Sequence, residues 1–282
     1  MTCVVIGPFR ASNVNIFGND LVAGLPSPSA FLGMAGLIRH RLGYPGWGQT
    51  VLPVLHDVDL QAGRLKPEYK VKDRVFKPSE IPEMRLAHVV ASAIIRFDQD
   101  IPLQSIREMA GYLRIAGGVA FPASGSSFED CVREGPSSFD GQALQDTLRE
   151  GPRIQRRGYA MLASGREGDG SILSNGVRET MRPLFERLYP EGGRKTGEGW
   201  LIPMPAGYAL LETPRSDRRA RGSRSQDIPH VFGEPLVGIG ELVSIAGSRF
   251  RDMTEQDLMR QATAYAHNQA GNAVLFSKVF GN

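Results

Sequence analysis

The thirty residues Asn13–Leu42, NVNIFGNDLVAGLPSPSAFLGMAGLIRHRL, limit what this chain can fold into more than any other stretch. They open in polar, glycine-containing sequence just after the apolar run Cys3–Ile6 and close as a helix. Ser27 is a strong N-cap, and Pro28 suits the first helical turn, where its missing N–H has no bond to lose. Phe31, Leu32, Ala35, Ile38 and Leu42 recur every three or four residues, which sets them on one buried face. Arg39, His40 and Arg41 complement the negative end of the helix dipole, and Gly43 supplies the stop. Gly33 and Gly36 each cost the helix about 1 kcal/mol relative to alanine, so close packing against its backbone is expected at both. Strand, mobile polar loop and glycine-bearing helix make the opening of a binding fold, not a catalytic signature.

The rest of the chain continues in kind. Thr50–Leu60 reads as a strand whose Pro53 favours an edge or a bulge. Gln61–Pro82 is charged and proline-bearing, a loop or hairpin, and Arg85–Phe97 is a Val/Ile-rich strand. Pro102–Ile115 has helical spacing ended by Gly117-Gly118, and Val119–Phe121 starts another strand. The order to that point is β-α-β-β-α-β, which predicts an α+β protein with a ferredoxin-like, RNA-recognition-like core over residues 1–122. An α+β extension over 123–282 packs closely on it. In that extension Gln142–Arg149, Asn175–Leu188 and Thr254–Ala266 read as helices, the last with a Thr-x-x cap. Gly158–Leu162 fits a short strand or helix. Trp200–Leu211 resembles an edge strand, and Val231–Ile245 and Asn272–Phe280 are apolar.

A chain of 282 residues with 41% hydrophobic and 22% charged residues has an ordinary globular composition. Its formal charge of +3 is unevenly spread. Residues 1–150 carry 15 Lys/Arg against 16 Asp/Glu, net −1, and residues 151–282 carry 18 against 14, net +4. Two cysteines, Cys3 and Cys131, make neither a disulfide framework nor a zinc site. With no signal-peptide pattern and no apolar run of about 20 residues, a cytoplasmic protein without membrane contact is expected.

Tests for chemistry return little. The His56-Asp57 pair suggests a metal nuclease, yet His40, His88, His230 and His267 stand singly without ligand spacing, so no metal site is expected. Tyr159, Lys195 and His230 are acid–base candidates that no motif links. Phosphate-cradling glycine motifs and a GxSxG elbow are absent, and Ser124-Gly125-Ser126 lies in loop sequence. No catalytic residue and no cofactor are expected.

The arginines say more. Arg215, Arg218, Arg219, Arg221 and Arg224 fall within ten residues, opposed only by Asp217, and Arg153, Arg156 and Arg157 precede Tyr159. A solvated loop and helix end would also carry such runs. A flexible segment of guanidinium groups suits phosphate contact and stacking on splayed bases, and nucleic-acid contact is the reading we favour for the first run.

With these segments in view, the chain resembles the Csy-two (Cas-five) subunit family of type I-F CRISPR surveillance complexes. The resemblance rests on Asn13 and Asn15 with AGLPSPSAFLG (Ala23–Gly33) and the basic helix end, LHDVDLQAG (Leu55–Gly63), AHVVASAII (Ala87–Ile95) and LRIAGGVAF (Leu113–Phe121). RRGYAML (Arg156–Leu162), GWLIPMPAGYALL (Gly199–Leu211) and EPLVGIGELVS (Glu234–Ser244) follow in the family's order. The segment before the last helix is poorer in aromatic residues than the family's pattern.

That resemblance implies a repeat-associated-mysterious-protein fold with a non-catalytic task. The subunit would hold the 5′ handle of the CRISPR RNA at one end of a filament, beside a large Cas-eight-type subunit that reads the protospacer-adjacent motif. Backbone Cas-seven-type subunits would stack on its other side, and target DNA would be met only through the complex, in antiviral defence. On this reading Asn13 and Asn15 read base edges or 2′-hydroxyls, while Arg39, Arg41, Arg153, Arg156, Arg157 and the Arg215–Arg224 run bind phosphates. Tyr69, Lys70, Lys72 and Arg74 in Gln61–Pro82 form either a thumb that kinks the guide or an ordinary charged hairpin. The alternatives are a repeat endoribonuclease on the same fold and an RNA-free scaffold.

Overall fold

Strand β1 runs over Cys3–Asn15, well past the apolar run that announces it. In the computed structural model, residues 1–19, 22–44, 46–61, 69–72, 75–78, 85–123, 127–164, 177–191, 200–214, 231–267 and 272–281 are described. The polar sequence expected to be a mobile loop is therefore strand as far as Asn15. Two bulges, at Ile6/Phe9 and Ala11/Val14, let it follow its partner despite the irregular spacing of its apolar residues. A small hairpin follows, β2 (Phe17–Asn19) with β3 (Val22–Ala23).

Helix α1 covers Pro28–Arg41, and the Ser27 hydroxyl accepts from the Ser29 N–H at 3.3 Å. Phe31, Leu32, Ala35 and Ile38 are buried as the spacing predicts. The expectation of close packing holds at Gly36, where an added Cβ would meet Gln49 Nε2 at 3.4 Å. It fails at Gly33, where no atom comes within 4 Å.

Next come β4 (Gln49–Leu60), the hairpin β5 (Tyr69–Lys72) and β6 (Val75–Pro78), and β7 (Leu86–Phe97). Helix α2 is short, Leu103–Met109, continued by a 3-10 turn Ala110–Tyr112. Instead of helix as far as Ile115, the chain makes a hairpin of β8 (Arg114–Ile115) and β9 (Gly118–Pro122). Its turn is Ala116-Gly117, both at positive φ.

The remaining elements are β10 (Val132–Glu134), α3 (Gly141–Glu150), β11 (Tyr159–Ala163), α4 (Val177–Leu188), β12 (Trp200–Leu210) and β13 (Gly233–Ser244). Then come α5 (Ser248–Arg251), α6 (Glu255–Gln261), β14 (Thr263–Ala264), β15 (Ala266–His267) and β16 (Ala273–Leu275). Thr254 and Asp257 form a reciprocal capping box at α6. The helix ends at Gln261, five residues short of the expected Ala266, because Thr263–His267 is drawn into strand pairing. Of the expected strand Asn272–Phe280, only Ala273–Leu275 is strand, followed by a 3-10 turn from Lys278.

The protein is α+β, with a large antiparallel sheet of twelve strands among the described residues. Its order is β15-β16-β12-β13-β11-β4-β7-β1-β9-β8, with β10 on β1 and β14 on β4. Pro53 thus lies in an interior strand, not at an edge. It falls between the short partners β14 (at Thr50 and Val51) and β11 (at Val54 and Leu55), where a missing donor is tolerated. β12 is likewise not an edge strand, since it pairs with both β13 and β16, but Pro203 and Pro205 lie outside the short stretch Gly207–Ala209 that β16 pairs, where a missing donor is tolerated.

Both faces of the sheet carry helices, over different areas. One face is covered by α1 and α2, with Phe9, Ala11, Val89, Ala91 and Ile95 packed against Phe31, Ile38 and Ile106 in the main core. On the opposite face Val5, Leu52, Val54 and Ile94 meet Leu144 and Leu148 of α3, Phe250 of α5 and Leu258 of α6. That second cover stops partway along the strands.

Candidate nucleic-acid interface

Where the helical cover stops, the second face of the sheet opens to solvent. Directly paired residues share a face, because side chains alternate along a strand. The pairings Phe121–Arg10, Arg10–Val90 and Val90–Asp57 therefore put four side chains in one row. The pairings Arg114–Val119, Val119–Ser12 and His88–Asp59 build the next row outward. Phe121 is 53% exposed and Val119 37%; Arg10, Arg114, Asp57, Asp59 and His88 are also exposed. Neither Arg10 nor Arg114 has an ion pair among the described residues.

Two expected base-reading residues border these rows. Asn13 sits at the second β1 bulge with φ 57°, the left-handed conformation that asparagine tolerates. It is exposed, and its Oδ1 accepts from Gln61 Nε2 at 3.1 Å; Gln61 Nε2 in turn lies 2.9 Å from His88 Nε2. Asn15 is exposed as well, with Oδ1 accepting from the Phe17 N–H at 2.9 Å. The carboxamides are thus oriented from within, and the N–H donors of both have no partner among the described residues.

The turn Arg153–Arg156 ends the cover on this face. Gln155 is fully buried, and its Nε2 donates to Ser92 Oγ at 3.0 Å, while its Oε1 accepts from Arg133 Nη2 at 2.5 Å. Ser92 lies two residues from Val90, hence one row, about 7 Å, from the open area. Arg153, Arg156 and Arg157, all exposed, are anchored beside that boundary by their buried neighbour.

His56 completes the anchor. Its Nδ1 lies 2.6 Å from the Arg157 carbonyl oxygen, so Nδ1 carries the proton and donates. Nε2, 2.8 Å from Ser92 Oγ, then accepts from that hydroxyl. Burial pushes the His56 pKa below its ordinary value, against a smaller upward pull from the Arg157 carbonyl. A hydroxyl hydrogen-bonded to a neutral imidazole has the outline of an activated nucleophile. Ser92, however, is 0% exposed, so no substrate reaches it, and the arrangement is structural.

Arg39 departs from its expected role. It is 1% exposed and forms an ion pair with Asp98, so its guanidinium faces the interior and not a phosphate. The neighbouring Arg41 is exposed at the end of α1. The hairpin holding Tyr69, Lys70 and Lys72 pairs only with itself among the described strands, and Arg74 lies outside the described residues. Arg215, Arg218, Arg219, Arg221 and Arg224 also lie outside them, as do Lys195 and His230 of the acid–base candidates. Among the described residues no group of three or more His, Cys, Asp or Glu is placed to hold a metal ion. No described helix is long and apolar enough to cross a membrane.

Sequence reasoning missed Arg10, Arg114, Val119 and Phe121. The alternation within Val119–Phe121 held a signal, but which side of a strand faces water depends on cover supplied by α3, α5 and α6.

The molecule so far is an α+β protein built on a broad antiparallel sheet, with an arginine-bearing open area on one face. The family model for the CRISPR-associated protein Cas_Csy2 matches residues 189–268. The CRISPR-associated protein Csy2 of Pseudomonas aeruginosa (strain UCBPP-PA14) is 25% identical over 281 residues, covering 82% of this chain and 84% of the relative. These two matches bear out the resemblance to the Csy-two family of the type I-F CRISPR system.

Proposed function

We propose that this protein is a non-catalytic, RNA-binding subunit of a type I-F CRISPR surveillance complex. It holds the 5′ handle of the guide RNA at one end of the filament, against a large Cas-eight-type subunit and the first backbone Cas-seven-type subunit. The observation that carries this reading is the likeness to Csy2 over 82% of the chain. The exposed arginines around the open sheet area support it, since phosphate contact supplies most of the affinity for an unpaired strand. A cytoplasmic location goes with the reading.

The architecture is compatible with it. The run β1-α1-β4-β7-α2-β9 and the antiparallel order β4-β7-β1-β9 support a ferredoxin-like core over residues 1–122, with residues 123–282 as its extension. Asn13 and Asn15 would read bases, while Arg41, Arg153, Arg156, Arg157 and the Arg215–Arg224 run would meet phosphates. The hairpin of Tyr69, Lys70 and Lys72, with Arg74, would serve as the thumb.

Purification of the complex through this chain tests the proposal: a guide RNA and the other subunits are expected with it, and their absence overturns it. Incubation with labelled repeat RNA, with and without EDTA, separates binding from catalysis. Specific cleavage would establish the endoribonuclease alternative.

A further inference from the structure

We infer that the open area of the sheet is a base-stacking platform, on which Phe121 receives one unpaired RNA base while Arg10 and Arg114 hold the flanking phosphates. The inference rests on the RNA-binding reading above and adds a site to it.

Three features of the area select its occupant. Phe121 is a half-exposed ring on an antiparallel strand, where a side chain stands roughly perpendicular to the sheet. A fixed aromatic face of that kind stacks any base, because every base has a π-face. Secondly, Arg10 lies directly across from Phe121 and Arg114 directly across from Val119, so one arginine stands beside each apolar side chain. Both guanidinium groups lack an ion-pair partner among the described residues, which leaves their charge for an external anion. Unpaired guanidinium groups on either side of an exposed aromatic ring suit the phosphates that flank a stacked base, the pairing of charge and ring used to hold single strands.

Thirdly, the charge changes sign across the sheet. Asp57 and Asp59 occupy the β4 end of the same rows, beyond Val90 and His88. Two carboxylates repel a phosphate chain, so the backbone of the strand is held along β8, β9 and β1. The same carboxylates accept hydrogen bonds from exocyclic amino groups of a base that points across the sheet. Asn13, at the outer corner, adds amide donors at that side.

The experiment uses the full chain and single-stranded oligoadenylate carrying one 2-aminopurine, read by fluorescence quenching and by anisotropy at several salt concentrations. The wild type is expected to quench the probe and bind it with a salt-dependent affinity. Phe121→Ala should abolish the quench and weaken binding by about 10-fold or more without changing the salt slope, and Phe121→Trp should restore both. Arg10→Ala and Arg114→Ala should each flatten the slope of log K against log salt by about 0.7, the value of one phosphate on a single strand. If the wild type binds while Phe121→Ala quenches and binds equally well, the platform is refuted and the RNA-binding reading stands. The platform is equally refuted if Phe121→Ala keeps the RNA but loses another subunit on co-purification, because the face would then dock protein. A wild type that binds no RNA, alone or in its complex, ends both.

Discussion

Ser92 Oγ and His56 Nε2 lie 2.8 Å apart, joining the middle of β7 to the bulge at Leu55/Asp57 of β4 beneath the turn that carries Arg153, Arg156 and Arg157. With Nδ1 donating to the Arg157 carbonyl, the imidazole is useful here only when neutral. That fixes the sign of its pH dependence. A folded-state pKa below the ordinary value of about 6.5 means that the unfolded chain binds the proton more readily. The contribution of His56 is therefore fully present above about pH 6.5 and is lost as pH falls towards the depressed folded value. His56→Asn should flatten the dependence of Tm on pH between about pH 7 and 5; an unchanged profile would show that the ring is not held as described.

The Arg39–Asp98 pair is expected to serve stability alone. Breaking a buried ion pair typically costs about 3–5 kcal/mol, and the half-exposed position of Asp98 reduces this to about 2 kcal/mol for Asp98→Ala. Urea unfolding measures that loss. RNA affinity and its salt slope should not move in variants that remain folded, which sets Arg39 apart from Arg41.

The boundary arginines should behave in the opposite way. Replacing Arg153, Arg156 and Arg157 together by alanine removes three exposed cations and leaves the backbone carbonyl that His56 uses. Stability should stay within about 0.5 kcal/mol of wild type, while the salt slope for single-stranded RNA falls by about 2. Equal slopes would remove these residues from the interface.

Two glycines should respond to alanine with opposite signs. Gly158 has φ +145°, and a Cβ there would lie 2.6 Å from the Leu55 carbonyl oxygen and 2.7 Å from His56 Nδ1. Gly158→Ala should lower stability by about 2 kcal/mol or more, through strain and displacement of the ring. Gly33 is helical with open space around it, so Gly33→Ala should stabilise by about 0.5–1 kcal/mol. Thermal unfolding of the two variants decides both signs.

Local chemistry was readable in the chain wherever it depends on neighbours in sequence. Ser27 caps α1, Thr254 and Asp257 cap α6, and the apolar runs at Arg85–Phe97 and Val231–Ile245 contain β7 and β13. Failures cluster where strand pairing competes with helical spacing. Helical spacing carried the reading of α2 through to Ile115, but Arg114-Ile115 pairs with Gly118-Val119 in a hairpin. The same competition shortened α6, when Thr263 and Ala264 paired with β4.

The candidate interface divides along the same line. Residue types and order were sufficient for the α+β class and for the likeness to the Csy-two family, because caps, periodicity and motif sequence are carried by a few adjacent residues. Which arginines meet solvent was decided only by tertiary packing. Arg39 and Arg41 look alike at the end of one helix, yet one is sealed against Asp98 and the other is exposed. Arg10 in one segment and Arg114 and Phe121 in another, none of them singled out as a site residue, become neighbours through the β1–β9 and β8–β9 registers. They reach water because the cover of α3, α5 and α6 stops short of that end of the face. The physical reason is that a strand has two faces and its sequence does not say which one will be left uncovered.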